Sequence, residues 1–192
     1  PPPQATYAQN LTCCVCMDDL QVDDNTFARL TCCGKAMHKY CSKGVLRSKM
    51  SLALKSRCPE CRQKVPSSAE EMIEQVRVWV DKGKPWAETN LGGAYQFGTG
   101  VPQSYEESIK YYNMAVKKGC PNAMVQLANM YRQGEGVAQS SETAAELYAL
   151  AANQGHATAQ LSLGVLYKDG NGVVQSYERA FELYTLAANQ GH

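Results

Sequence analysis

The second half of the chain repeats itself with a period of 36 residues, and this period constrains the fold more than any other feature. Tyrosine, glycine, valine, glutamine, serine and alanine recur in register three times. The first members of these sets are Tyr95, Gly98, Gly100, Val101, Gln103, Ser104, Tyr112, Ala115 and Gly119. Such a chain builds a stack of equivalent units, because a single unit of this size cannot bury its apolar face alone.

Each unit is predicted to be a pair of helices joined by turns. The first helix of the middle unit is predicted over 122–133, where Ala123, Leu127 and Tyr131 fall on one helical stripe. A Gly-x-Gly-Val turn follows it. Serine caps the start of a helix, and glycine commonly ends one. The expected caps of the second helices are Ser104, Ser140 and Ser176 at the start, and Gly119, Gly155 and Gly191 at the end.

A further helix is predicted ahead of the repeats. Ser68 and Glu71 form a capping box, and the pattern after them aligns with a second helix alone, Ile73 matching Ile109. We expect a linker at 66–68, a capping helix within 69–85, and three repeats over 86–192. The expected repeat bounds are about 87–122, 123–158 and 159–192. No polar cap is visible near His192, which predicts further repeats in the full-length protein.

The units follow the pattern LGxxYxxGxGVxQS and then YxxAxxxG, which resembles the Sel-1-like repeats, relatives of the tetratricopeptide repeat. The resemblance covers about 87–192. It implies an all-α solenoid of helical-hairpin repeats. It also implies a curved surface that binds another protein, here a substrate or an adaptor.

The first part of the chain is dominated by paired cysteines. Eight of the nine cysteines lie before residue 62. The pairs are Cys13-x-x-Cys16, Cys32-Cys33, His38-x-x-Cys41 and Cys58-x-x-Cys61. Zinc takes four nitrogen or sulfur ligands, so eight ligands indicate two Zn²⁺ ions. Disulfides are the alternative for a secreted chain, but no secretory signal is visible. We therefore expect a reducing compartment, the cytoplasm or the nucleus.

Residues 10–65 resemble a RING finger in the runs CCVCMDDL, CCGKAMHKYC and CPECR. The resemblance implies a small zinc-stabilised α+β RING-like domain, preceded by a disordered tail at 1–9. It implies that two ions are held in a cross-brace. Cys13, Cys16, His38 and Cys41 would hold one ion, and Cys32, Cys33, Cys58 and Cys61 the other. The adjacent third and fourth ligands and the histidine in fifth place depart from the commonest pattern, and Cys14 is a spare thiol.

RING fingers of ubiquitin ligases bind a ubiquitin-conjugating enzyme and position its ubiquitin for transfer. The resemblance assigns contact with the conjugating enzyme to Val15, Leu46 and Pro59, and contact with both proteins to Arg62. Eight ligands leave no open zinc position for water, so no catalytic zinc is expected. The sequence thus predicts a RING-type ligase or ligase subunit that acts by positioning and has no catalytic nucleophile of its own.

Two other functions stay open at this stage. The alternative is a non-catalytic, zinc-binding protein-interaction scaffold, since a fold does not fix a function. The other is association with nucleic acid. Residues 1–66 carry ten Lys or Arg against five Asp or Glu, but thiolates offset the charge and few aromatics are interleaved. This favours a solvated basic face or an acidic conjugating enzyme over nucleic acid. No apolar run is long enough to span a membrane, and the oligomeric state stays open.

Overall fold

The computed structural model describes residues 66–190 in full, together with the backbone of 27–29 and 36–38. Of the predicted zinc ligands, only His38 falls in a described segment, and there only as backbone. The other seven ligands, and Val15, Leu46, Pro59 and Arg62, lie outside the described residues. The zinc sites and the contacts with a conjugating enzyme therefore stay predictions.

Two short strands lie within the segment predicted to bind zinc. Strand β1 spans Phe27–Arg29 and strand β2 spans Ala36–His38. They pair antiparallel, with Phe27 opposite His38 and Arg29 opposite Ala36. This pairing brings together the two ends of the segment that contains Cys32 and Cys33 in the sequence. Two paired strands do not identify a fold, so the RING-like domain remains a prediction.

Residues 66–190 form seven helices in a stack of hairpins. The helices are α1 Ala69–Asp81, α2 Pro85–Phe97, α3 Tyr105–Lys117, α4 Pro121–Gln133, α5 Ser141–Ala152, α6 Ala157–Asp169 and α7 Tyr177–Ala188. The hairpins are α2 with α3, α4 with α5, and α6 with α7, and α1 packs on α2 as a half-unit. This confirms the predicted all-α solenoid over the repeats. Within the described part of the chain, no helix is both long and apolar enough to cross a bilayer.

Local chemistry sets where the helices begin. The side chains of Ser104, Ser140 and Ser176 each accept a hydrogen bond from the backbone N–H three residues later, as predicted for N-caps. Ser68 caps α1 in the same way, but the carboxylate of Glu71 accepts from the backbone N–H of Ser67 rather than that of Ser68. Helix α4 begins one residue before the predicted start, because Pro121 fits the first helical position.

The turn inside each hairpin is fixed by side-chain and backbone hydrogen bonds that recur in every unit. Gly98 caps the C-terminal end of α2 and has a φ of 68°, in the left-handed region that favours glycine. The Nε2 of Gln103 then donates to the carbonyl of Gln96 over 2.9 Å. Gln139 and Gln175 make the same bond to Arg132 and Lys168 over 2.8 Å each. The turn therefore requires the spacing of glycine and glutamine that recurs in the three units.

The second glycine of this turn sets the distance between units. A Cβ placed on Gly136 would lie 2.3 Å from the Cβ of Tyr105, at the start of the previous unit's second helix. A Cβ on Gly172 would lie 2.2 Å from the backbone carbon of Ser141 in the same way. No side chain fits in these gaps, so the turn of one unit rests directly on the helix of the preceding unit.

Two tyrosines of the second helices fill the interior of the first two hairpins. Tyr112 and Tyr148 are fully buried among alanines and other apolar side chains. A Cβ on Gly92 would lie 2.7 Å from the Tyr112 ring, so glycine is needed where the ring crosses α2. The middle unit has Ala128 at this position, and its buried tyrosine hydrogen-bonds to a different residue of the first helix.

Candidate functional site

The first helices of the three units share one outward face, which we call the first-helix face. It comprises the positions of α2, α4 and α6 that recur at helical spacing and are not buried. On α4 these are Asn122, Gln126, Asn129 and Gln133. The equivalent positions are Trp86, Asn90, Gly93 and Phe97 on α2, and Thr158, Ser162, Val165 and Asp169 on α6. Neighbouring units contact each other mainly where the second helix of one packs on the first helix of the next, so these positions follow one another along the array.

The twelve positions of the first-helix face carry fewer charges than the exposed positions of the second helices. Asp169, at the end of α6, is the one ionisable side chain among them, and the exposed Arg132 and Lys168 lie next to them on α4 and α6. The second helices instead expose acidic and basic side chains: Glu106, Lys110 and Lys117 on α3, Glu142 and Glu146 on α5, and Glu178, Arg179 and Glu182 on α7. An amide is less costly to remove from water than an ion when it finds a hydrogen-bond partner. The first-helix face is therefore the surface better suited to be covered.

Two asparagines of α4 are held in a fixed orientation by the interior. His156 caps α6, and its Nδ1 accepts a hydrogen bond from the backbone N–H of Ala159 over 3.3 Å. The neutral ring therefore carries its proton on Nε2, which lies 2.6 Å from the Oδ1 of Asn122 and donates to it. Similarly, the Tyr148 hydroxyl donates to the Oδ1 of Asn129. Both amide oxygens are thus occupied from within the repeats.

A second polar network joins the first and second units. The Tyr112 hydroxyl donates to the Oε1 of Gln96 over 2.9 Å, and the Nε2 of Gln96 donates to the Oε2 of Glu135 over 2.8 Å. Burial raises the pKa of Tyr112, and burial likewise raises the pKa of Tyr148. Both hydroxyls therefore stay protonated at neutral pH and act as hydrogen-bond donors.

The hairpins are closed by a polar pair whose chemistry differs between units. In the first unit, Lys118 donates from Nζ to the Oε1 of the fully buried Glu88 and to the carbonyl of Gly83. The other oxygen of Glu88 has no hydrogen-bond partner. At the equivalent positions, Gln154 donates to the sulfur of Met124 over 3.6 Å and Gln190 donates to Gln160 over 2.8 Å. These contacts join the first helix of each hairpin to the residues that follow its second helix.

The cysteine and histidine positions between units are also structural. The Sγ of Cys120 is buried and lies 3.4 Å from the Oγ1 of Thr89. His156, at the equivalent position, caps a helix, and His192 lies outside the described residues. In the described ranges, no three His, Cys, Asp or Glu side chains come together in a way that could hold a metal ion.

Sequence reasoning named no residue of the first-helix face. The pattern that could have revealed it is the run of uncharged polar residues at 122, 126, 129 and 133, opposite the apolar stripe of the same helix. The fixed orientation of Asn122 and Asn129 could not be read from that pattern, because their partners lie 34 and 19 residues away.

A comparison with protein families assigns the repeats. The model described as Sel1 repeat matches residues 87–120, 121–156 and 157–192, which is more than half of the chain. The chain belongs to the Sel1 repeat family. The second and third Sel1 repeats begin two residues before the starts expected at 123 and 159, and their starts coincide with those of α4 and α6.

Solved structures with the same architecture support this assignment. A Sel1 repeat protein from Oxalobacter formigenes is 33% identical, with a TM-score of 0.62 over 64% of this chain and 50% of its own. The protective antigen c5321 of uropathogenic Escherichia coli, which displays an SLR fold, is 35% identical, with a TM-score of 0.64 over 68% of this chain and 28% of its own.

Helicobacter pylori cysteine rich protein B shares the fold at 18% identity, with a TM-score of 0.54 over 66% of this chain and 93% of its own. The aligned part of this chain spans half or less of the first two relatives. A search of curated protein sequences gave no match.

Proposed function

We propose that this protein is an interaction scaffold whose Sel1 repeats bind a partner protein along the first-helix face. The observation that carries the proposal is that the equivalent positions of α2, α4 and α6 follow one another along the array and carry one ionisable side chain among twelve. The buried polar groups beneath it close hairpins or join neighbouring units, as Glu88 and Gln96 do. The repeats thus provide a rigid support for a surface rather than a reaction centre.

Site-specific photo-crosslinking tests this proposal. A photo-reactive residue placed at Gln126 reports on the first-helix face, and one placed at Glu146 reports on the charged face of α5. With the full chain in an extract of its source cells, we expect discrete protein adducts from position 126 and much weaker ones from 146. Equal labelling from both positions, or none from 126, would contradict the use of this face.

We also propose that residues 10–65 bind two Zn²⁺ ions, in a finger at the end of the scaffold. The donor set supports this, since seven thiols and one imidazole are the ligands that structural zinc prefers. When bound, the ions supply folding free energy to a segment with few apolar residues. Elemental analysis of the purified chain is expected to give two zinc ions, and a content of one would overturn the cross-brace.

Ubiquitin transfer is the second candidate function. It is favoured by the offsets of Val15, Pro59 and Arg62 from the predicted ligands, which match those of RING-type ligases. We expect the zinc-loaded chain to form ubiquitin chains with at least one conjugating enzyme from a panel. Arg62→Ala is expected to reduce that activity, and Lys64→Ala, which removes a neighbouring positive charge, is the matched control. If a chain holding two zinc ions is inactive with every conjugating enzyme, the scaffold function stands alone.

A further inference from the structure

The middle unit carries two hydrogen-bond donors aimed away from the protein. Asn122 and Asn129 have their amide oxygens occupied by His156 and Tyr148, so the Nδ2 group of each asparagine is turned to the opposite side. Neither Nδ2 group donates a hydrogen bond to any residue of the described part of the chain. A free asparagine can rotate its amide to present either end, but in these two the hydrogen bond to the oxygen fixes the side on which the NH₂ group lies.

From this geometry we propose that the first-helix face binds an extended, uncharged segment of polyproline type through the main-chain carbonyls of that segment. The inference rests on the proposed interaction function and specifies the partner. Main-chain carbonyls are the complementary group, because they accept hydrogen bonds and carry no charge. A polyproline II segment leaves its carbonyls free, since the helix has no internal hydrogen bonds.

The spacing of the two donors fits this conformation. Asn122 and Asn129 are seven residues apart, which corresponds to about 10.5 Å along the axis of α4. A polyproline II helix has three residues per turn and a rise of about 3.1 Å, so carbonyls three residues apart face the same side at about 9.3 Å. Side-chain rotation takes up the remaining difference. In a β-strand, carbonyls three residues apart face opposite edges, and only one of them could be reached.

The surroundings of the donors also favour this partner. None of the eight first-helix positions on α2 and α4 carries a charge, and the only exposed charged side chain of these two helices is Arg132, so a basic segment would lose hydration without gaining an ion pair. On the adjoining helix, Phe97 is 70% exposed and Trp86 is half-buried. Aromatic surfaces of this kind are what proline-rich segments pack against.

Isosteric variants of the two asparagines test the proposal. Asn122→Asp and Asn129→Asp keep the oxygen that accepts from His156 and from Tyr148, and they replace each outward amide by a carboxylate that repels a carbonyl. The probe is a blocked peptide, (Pro-Pro-Ala)₄, labelled with a fluorophore and titrated with the full chain. We expect saturable binding to the original protein. The double variant should bind about tenfold or more weakly, as expected for the loss of two hydrogen bonds.

Three controls make the outcome decisive. Asn113→Asp adds the same charge on the exposed face of α3 and should leave binding unchanged. A (Pro-Pro-Glu)₄ peptide should bind far more weakly than the uncharged probe. In NMR spectra, the side-chain NH₂ signals of Asn122 and Asn129 should shift on titration, while that of Asn113 should not.

Failure of the probe to bind, equal binding by the double variant, or equal binding of the acidic peptide would overturn the inference. Crosslinking from position 126 separates this inference from the proposed function. If a partner is still captured there while the probe fails, the interaction function stands and the polyproline partner is wrong.

Discussion

Replacing Lys118 by glutamine should destabilise the first unit strongly, although the lysine side chain is partly exposed. Lys118 provides the only hydrogen bond that the described residues give to the carboxylate of Glu88, which is fully buried and already has one unpaired oxygen. Breaking a buried pair by removing one partner costs about 3–5 kcal/mol. Because 38% of the Lys118 side chain is exposed to solvent, we reduce the expected loss to about 2–3 kcal/mol.

The free energy of unfolding can be measured by urea denaturation followed at 222 nm, where the helices of the repeats dominate the signal. Lys117→Gln is the matched control, since it removes the same charge from the exposed neighbouring residue and should cost less than about 0.5 kcal/mol. The double variant Glu88→Gln with Lys118→Gln recreates the amide pair that Gln160 and Gln190 form in the third unit. It should recover at least half of the loss.

Together with the single variant Glu88→Gln, the double variant completes a double-mutant cycle, which gives the coupling free energy between the two residues. If Lys118→Gln costs no more than Lys117→Gln, the buried carboxylate does not depend on its lysine and the reasoning fails. If the single loss is large but the double variant recovers nothing, the lysine acts through packing or through the carbonyl of Gly83 instead.

Three further predictions concern the repeats as a whole. Gly136→Ala should lower the free energy of unfolding by about 2 kcal/mol or more, because φ is 69° and the new Cβ meets Tyr105. Gly119 also has a positive φ, but it has open space around it. A comparison with the thermal unfolding of Gly119→Ala therefore separates the clash from the backbone strain. Burial raises the pKa of Tyr112 and Tyr148 above the value of about 10 that tyrosine has in the unfolded chain. The folded state therefore favours the protonated hydroxyls. The stability that they contribute is present below about pH 10 and is lost as the pH rises through the folded pKa. A urea series from pH 8 to 11.5 should therefore show falling stability above about pH 10, and flat stability there would refute the effect. Removal of zinc by a chelator should leave the helical signal of residues 66–190 largely intact, because the repeats pack on one another. Complete loss of the helical signal would show that the repeats need the zinc finger to fold.

Much of the repeat architecture could be predicted because it depends on local chemistry. A serine that caps a helix, or a glycine with positive φ, acts on residues three or four positions away, and the 36-residue period places these signals three times. The caps at Ser104, Ser140 and Ser176 were therefore found from the sequence. The two-residue offset in the repeat starts arose because Pro121 belongs to its helix rather than to the turn before it.

The rest depends on residues brought together by the fold. Glu88 is indistinguishable in the sequence from a solvated glutamate of a helix's first turn, and only closure of the hairpin brings Lys118 to it. The 36-residue period gives no sign of the pair, because Met124 and Gln160 occupy the positions equivalent to Glu88 in the other two units. The orientation of Asn122 is equally a tertiary property, since its partner His156 lies 34 residues away, at the N-cap of α6.

The pairing of Glu88 with Lys118 has a consequence for how this array can change in length. Both members lie inside a single Sel1 unit, 87–120, and the corresponding pairs lie inside the other two. Deletion or duplication of 36 residues between unit boundaries would therefore carry each buried residue, Glu88, Met124 or Gln160, together with its own counterpart. Recombination inside the first unit would separate Glu88 from Lys118 and leave a buried carboxylate without its partner. The array can thus gain or lose copies as whole units, and each unit can vary this one pair independently of its neighbours.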